Sequence, residues 1–377
     1  GEANVTLTVE HAYKVGRFLG WYYGQKTPGE KCRIVIGKDT RKSGDMLEAA
    51  LTAGLCSMGA KVIPLGVVPT PAVAYLTRYY KADAGVVISA SHNPCEYNGI
   101  KFFNSDGYKL SDGIENEIES YILGEKAIEE LPTHGKVGYV SANHNAVEDY
   151  VAFAVSTIDC RLDGMKIAVD CANGASYETA FKALNKLGAN VEAIHNTPDG
   201  VNINHMCGST HMESLQAYVT SIGADIGIAF DGDADRMLAV DENGKLIDGD
   251  QIMAACAKFM RDNGTLKQNT LVATVMSNLG LFMAGEKIGI NIPRTKVGDR
   301  YVLEEMLAKG YNIGGEQSGH IIFLDHNTTG DGLVSALQFL SVLKKTGMKA
   351  SEAASIVTVM PQVLRNAVVK LENKNRS

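Results

Sequence analysis

Short runs of apolar and β-branched residues alternate with amphipathic stretches through most of the chain, the pattern of parallel βαβ units. It occurs three times. The first copy predicts strands at 33–37, 61–65 and 84–89 with helices at about 45–58 and 72–80 between them. The second predicts strands at 165–170, 190–194 and 225–230, with helices near 177–187 and 212–222. The third runs from a strand at 270–276 through helices near Leu281 and Val302 to a strand at 311–313. Each copy stops at an unusual polar cluster: Ser91-His92-Asn93-Pro94, Asp231-Gly232-Asp233-Ala234-Asp235-Arg236, and Gly314-Gly315-Glu316-Gln317-Ser318-Gly319-His320.

In open parallel sheets, ligands bind beyond the carboxyl ends of the strands, where the connecting loops face one crevice. Three similar α/β units, each ending in one such cluster, therefore predict three domains around one shared cleft. Polar stretches near 142–146 and 241–250 mark the junctions, giving expected domains at 1–145, 146–247 and 248–360, with 361–377 opening a fourth. A length of 377 residues with 45% hydrophobic content agrees with several cores rather than one.

Charge narrows the field. The 36 Lys and Arg against 43 Asp and Glu give a net charge of -7 without a basic block, which argues against a nucleic-acid surface. The seven cysteines form no closely spaced pair, and an odd number leaves one unpaired in any disulfide scheme. They are expected to be reduced thiols. With no apolar run of membrane-spanning length and no leader-like start at Gly1-Glu2-Ala3-Asn4, the expectation is a cytoplasmic protein without membrane insertion.

The clusters suggest chemistry. Ser91 follows the buried-looking run Gly85-Val86-Val87-Ile88, which would present its hydroxyl at a sheet edge; the plain alternative is a polar turn closed by Asn93 and Pro94. A nucleophilic serine needs a proton acceptor and a positive field for any phosphate it carries, and His92 and Lys101 are near enough in sequence to supply them. Asp231, Asp233 and Asp235 stand on alternate residues, an arrangement whose mutual repulsion a hard divalent ion would relieve. A calcium-binding EF-hand loop also matches those three and Glu242, but Arg236 stands where that loop needs Gly, and strand-like runs flank it. The glycine-bracketed Glu316, Gln317 and Ser318 suit the gripping of sugar hydroxyls. Asp299 and Asp331 are each as readily helix N-caps as ligands, and Arg41 either meets a phosphate or makes a surface pair. The other histidines show no metal-ligand spacing.

Taken in order and spacing, the three clusters resemble the α-D-phosphohexomutase superfamily. Gln317, the Ser89-Ala90-Ser91 opening and Phe102-Phe103-Asn104-Ser105-Asp106-Gly107 are most similar to its hexosamine-phosphate branch. The resemblance implies three mixed-sheet α/β domains around one cleft. It also implies phosphoryl transfer between the 6- and 1-oxygens of a phosphorylated hexosamine through a phosphoserine at Ser91 and a 1,6-bisphosphate. One magnesium ion per chain would sit on Asp231, Asp233, Asp235 and a Ser91 phosphate oxygen. Glu316, Ser318, Arg41, Asp299 and Arg300 would serve the substrate. Lys101, Arg236 and His320 would surround the transferring group, and His92 would position the phosphoserine. The resemblance further implies a homodimer. Measured against the superfamily, the chain looks to lack the first strand and most of the fourth domain, and Ala234 replaces a usual Gly. The competing expectations are a glucose- or mannose-phosphate mutase, a catalytically weak fragment that docks a partner, and a metal-dependent phosphatase.

Overall fold

The computed structural model describes all residues except 28, 125, 126, 129 and 364–377. The expected opening of a fourth domain at 361–377 therefore falls almost wholly outside the described residues. The elements run α1 (Val9–Gly24), β1 (Arg33–Lys38), α2 (Ser43–Ser57), β2 (Lys61–Val67), α3 (Thr70–Tyr79), β3 (Ala84–Ile88), β4 (Ile100–Asn104), α4 (Asp112–Ile122) and β5 (Tyr139–Val140). After α5 (Ala146–Ser156) come β6 (Lys166–Asp170), α6 (Ser176–Lys186), β7 (Asn190–Ile194), α7 (Glu213–Ile222), β8 (Ile226–Phe230), β9 (Met237–Asp241) and β10 (Leu246–Ile247). The rest comprises α8 (Gly249–Asp262), β11 (Ala273–Thr274), α9 (Leu279–Ile288), β12 (Arg294–Thr295), α10 (Asp299–Lys309), β13 (Ile313–Gly315), β14 (Ile321–Phe323), α11 (Gly332–Thr346) and α12 (Ala350–Ala354).

Two five-stranded mixed sheets repeat one plan. The first has order β4-β3-β1-β2-β5, the second β10-β9-β8-β6-β7. β3 and β8 are buried at every residue, as expected of strands covered on both faces. Each is followed by an antiparallel partner, β4 or β9. The same return joins β13 to β14. All three polar clusters are thus hairpin connections between a buried strand and its antiparallel neighbour, a feature that the parallel βαβ pattern did not disclose.

The third unit departs furthest from expectation. The extended segment at 270–276 pairs as strand only over Ala273–Thr274, with isolated bridges from Thr270 to Asn291 and from Val272 to Gly314. Its neighbour contains Pro293, which accepts from Ala273 but has no N–H to return, so the ladder there stays short.

Side-chain alternation on β1 splits the packing of the first sheet. Ile34 and Ile36 face a core with Phe18, Leu19, Leu47, Leu51 and Leu55 of α1 and α2. Val35 faces the opposite way, into a core continuous with Tyr150 of α5, Phe230 of β8 and Phe339 of α11. One apolar interior therefore runs through all three units. On the outer side, α1 and α2 cross at Gly16 and Gly54, where a Cβ on Gly54 would stand 2.2 Å from the Tyr13 carbonyl oxygen. Among the described residues no helix is long and apolar enough to cross a membrane, and the seven cysteines are all free.

Ala would ordinarily stabilise a helix interior over Gly by about 1 kcal/mol. At Gly54 the backbone contact should reverse that sign. Gly54→Ala is expected to lower stability by about 1–3 kcal/mol, the scale of overpacking, measured as a shift in the denaturant midpoint. An unchanged or raised midpoint would show that the crossing is looser than described.

Candidate active site at the meeting of three hairpins

The loop after β3 is built around a buried ion pair. Asp39, just beyond β1, accepts from Ser89 Oγ at 2.5 Å and from the Arg41 amide at 2.9 Å, and its carboxylate pairs with the Arg41 guanidinium. Burial pushes the Asp39 carboxyl upward despite the Arg41 charge. Arg41 departs from its expected role at a substrate phosphate: it is 1% exposed, and Nη2 donates to the carbonyls of Ser91 at 3.1 Å and Asn93 at 2.5 Å. Its donors are directed into the protein, so it holds the serine loop. Asn204 Nδ2 grips the same two carbonyls at 2.9 and 3.0 Å. So restrained, Ser91 adopts a left-handed φ of 51°, costly for a non-glycine residue, with its amide on Ser89 Oγ at 3.0 Å.

That conformation aims the hydroxyl at the second hairpin, and Ser91 Oγ donates to Asp231 Oδ2 at 2.6 Å. The two loops touch so closely that a Cβ on Gly232 would lie 2.6 Å from the Ser91 carbonyl oxygen. Ala234 takes φ 54°, so the substitution for Gly falls at a left-handed position rather than at the ordinary backbone angles that would make Ala costless. Asp231, Asp233 and Asp235 are 1%, 0% and 8% exposed, and one oxygen from each lies within 4.8 Å of the others. Lys101 Nζ, delivered by β4, reaches Asp233 Oδ2 at 2.5 Å and Asp235 Oδ2 at 3.9 Å, and Thr70 Oγ1 donates to Asp233 at 2.6 Å. Asp233 Oδ1 and Asp235 Oδ1 remain buried without a hydrogen-bond partner.

Electrostatics follow from that crowding. Burial, then the charges of Asp235 and Asp233, raise the Asp231 carboxyl far above the usual range. At Asp235, burial is outweighed by Lys101, His320 and Arg236, and the carboxyl is held low. For Lys101, burial is likewise outweighed, by Asp233 and Asp235, so its ammonium is stabilised. Buried carboxylates with unpartnered oxygens at this separation form an oxygen-donor set suited to a hard divalent cation. The EF-hand alternative fails here: strands β8 and β9 flank the loop, and Glu242 is bound to Ser351 Oγ at 2.5 Å.

The third hairpin closes the ring. His320, 3% exposed, lies 3.6 Å from Asp235 and 3.5 Å from Asp299, with Nε2 accepting from the Gly330 amide at 3.2 Å. Arg236 Nε stands 3.9 Å from Asp235 Oδ1. Glu316 Oε1 accepts from the Gly298 amide at 3.1 Å, while Ser318 is exposed. His92 lies at the surface of the serine loop, and partial burial and the charge of Arg236 lower its pKa. Asp299 is not the N-cap of α10, since Gly298 holds that place; it joins His320 to Lys109. Asp331 is an N-cap, accepting from the Val334 amide at 3.0 Å. Arg300 is half exposed and pairs with Asp112 and Glu304 on a groove of about 790 Å³ between the first and third units. Sequence reading passed over Thr70 and Asn204. Thr70 follows a strand end, which was a usable signal; nothing local marks Asn204.

A half-buried strand-end serine beside an acidic triad, with Lys101, Arg236 and His320 around that triad, has the groups that phosphoryl transfer requires. The chain belongs to the phosphoglucomutase/phosphomannomutase family, whose alpha/beta/alpha domains I, II and III match residues 1–129, 147–244 and 248–360. Within it, the phosphoglucosamine mutase of Ruminiclostridium cellulolyticum is 59% identical over 374 residues, covering 99% of this chain and 83% of that protein. That of Clostridium novyi is 60% identical over 369 residues, covering 98% of this chain and 82% of its own length. A phosphoglucomutase/phosphomannomutase family protein from Burkholderia thailandensis superposes with a TM-score of 0.81 at 26% identity, over 95% of this chain and 78% of that one.

Removing one side of the buried Arg41–Asp39 pair strands the other charge. Arg41→Met is expected to cost about 3–5 kcal/mol, measured by chemical denaturation. Lys101→Met removes the ammonium beside Asp233 and Asp235, so it is expected to lower stability as well as rate, with kcat per folded molecule falling by about 10²–10³-fold, the scale for one preorganised charge-stabilising group.

Proposed function

We infer that this chain interconverts glucosamine 6-phosphate and glucosamine 1-phosphate, with Ser91 as the residue that gives and takes the phosphoryl group. The observation that carries the assignment is the Ser91 hydroxyl held 2.6 Å from Asp231 in a ring of fixed positive groups. In the forward direction the phosphoserine P–O bond breaks as the sugar 1-oxygen bonds phosphorus, giving the 1,6-bisphosphate and a free Ser91 hydroxyl. The bisphosphate turns over, Ser91 Oγ takes the 6-phosphoryl group, and the 1-phosphate leaves. Lys101 and Arg236 neutralise oxygen charge during transfer, and His320 exchanges the hydroxyl proton. Such reactions depend mainly on positioning and charge neutralisation. Glu316 and Ser318 meet the sugar hydroxyls. His92 steadies the phosphoserine, and Asp299 and Arg300 border the incoming substrate.

Asp231, Asp233 and Asp235, with a Ser91 phosphate oxygen, would hold one magnesium ion, an assignment supported by their orphaned buried oxygens. Magnesium bound there would supply positive charge to the phosphoryl oxygens. Phosphoglucosamine mutases that are 59–60% identical support the amino-sugar preference. The seven free thiols support a cytoplasmic setting. A homodimer accompanies this reading, and sedimentation would reveal its mass.

Ser91→Ala should reduce turnover by at least about 10³-fold, the scale of losing a nucleophile, and should remove the phosphate increment that intact-mass analysis is expected to find on the Ser91 peptide. Near-normal activity in that variant rejects the assignment. Asp233→Asn should raise the magnesium concentration needed for half-maximal rate. Rates on glucosamine, glucose and mannose 6-phosphates should rank glucosamine first.

A further inference from the structure

A second group of metal-ligating side chains lies apart from the acidic triad. Asp170 ends β6, His195 follows β7 directly, and Cys207 precedes the turn at Gly208. One ligand atom from each lies within 4.8 Å of the others. We propose that Asp170, His195 and Cys207 form a second metal site, for a borderline-soft divalent ion of the zinc type, that pins the segment 195–208 to the edge of the second sheet.

Donor chemistry separates this site from the triad. A thiolate and an imidazole favour zinc over magnesium, whereas three carboxylates favour the reverse. Cys207 is fully buried and its Sγ makes no hydrogen bond, so a buried thiol points into the cluster without a partner of its own. Asp170 is already oriented: Oδ1 accepts from the Ala172 amide at 2.8 Å and Oδ2 from the Gly208 amide at 3.0 Å, the outer contacts that fix a metal-binding carboxylate. His195 Nδ1 lies 2.9 Å from Asp170 Oδ2, and the metal would take the place of the proton between them. The ring proton moves to Nε2, leaving Nδ1 free to bind, and the thiol proton leaves to solvent along the His195 side chain, which is 31% exposed. A dipositive ion with one carboxylate, one thiolate and a neutral imidazole carries no net charge, which suits a buried site.

The location gives the site a consequence for the serine loop. Asn204, three residues before Cys207, holds the Ser91 and Asn93 carbonyls. Metal at the cluster would tether that grip, making Asp170, His195 and Cys207 positioning residues with no contact to the reacting atoms.

Cobalt(II) titration of the intact chain, with excess magnesium present, tests the proposal independently of the catalytic reading. A thiolate-to-cobalt charge-transfer band should appear, saturate at one equivalent and disappear when zinc is added. The band should be lost in Cys207→Ser and in His195→Gln, the latter keeping a side-chain amide able to hydrogen-bond Asp170, and should persist in Asp233→Asn. Zinc should also raise the thermal midpoint of the parent chain but not of His195→Gln, since binding to the folded state alone stabilises it. No band in the parent chain, a band unchanged in both site variants, or a midpoint indifferent to zinc would overturn the proposal.

Discussion

Three carboxylates buried against one another are the constraint from which the remainder of the centre takes its form. Neighbouring negative charges out of reach of water are costly, and the fold answers with groups drawn from every unit: Lys101 from the first, Arg236 from the second, His320 from the third. Ser91 contributes a neutral donor to the same cluster. The charge that makes the acidic loop expensive is met at one point by groups from all three units.

Geometry serves that demand through a repeated device. A buried central strand runs to the cleft, presents a short loop and returns antiparallel, three times over. Because both arms of each loop are held in a sheet, the reactive groups rest on rigid supports. The strain at Ser91 and Ala234, both left-handed, is accepted where the loops meet and is held by surrounding contacts such as Arg41 and Asn204.

Much of this was legible beforehand. Strand-and-helix alternation located three strands and two helices in each of the first two units to within a few residues, most clearly at β3 and β8, which are buried throughout and carry unbroken apolar runs, but it passed over α1, α4 and α5. Chemistry at the strand ends was visible for the same reason: Asp231, Asp233 and Asp235 have no packing explanation. The antiparallel returns were not visible, since Ile100–Asn104 and Met237–Asp241 carry no mark of direction. The third unit blurred where Pro293 interrupts its ladder. Arg41 shows a different limit. A basic residue in a strand-to-helix loop suits a phosphate in sequence, and only the burial of Asp39 beside it discloses a structural latch.

Continuity of the apolar interior carries a consequence of its own. The inner face of the first sheet packs chiefly on α3, α3 packs on α5, and α5 on α11, so the layer that begins at the first sheet is completed only by helices of the later units. Translation must therefore deliver the later units before that layer is sealed. Until then a greasy surface waits, and the nascent polypeptide has reason to recruit a chaperone.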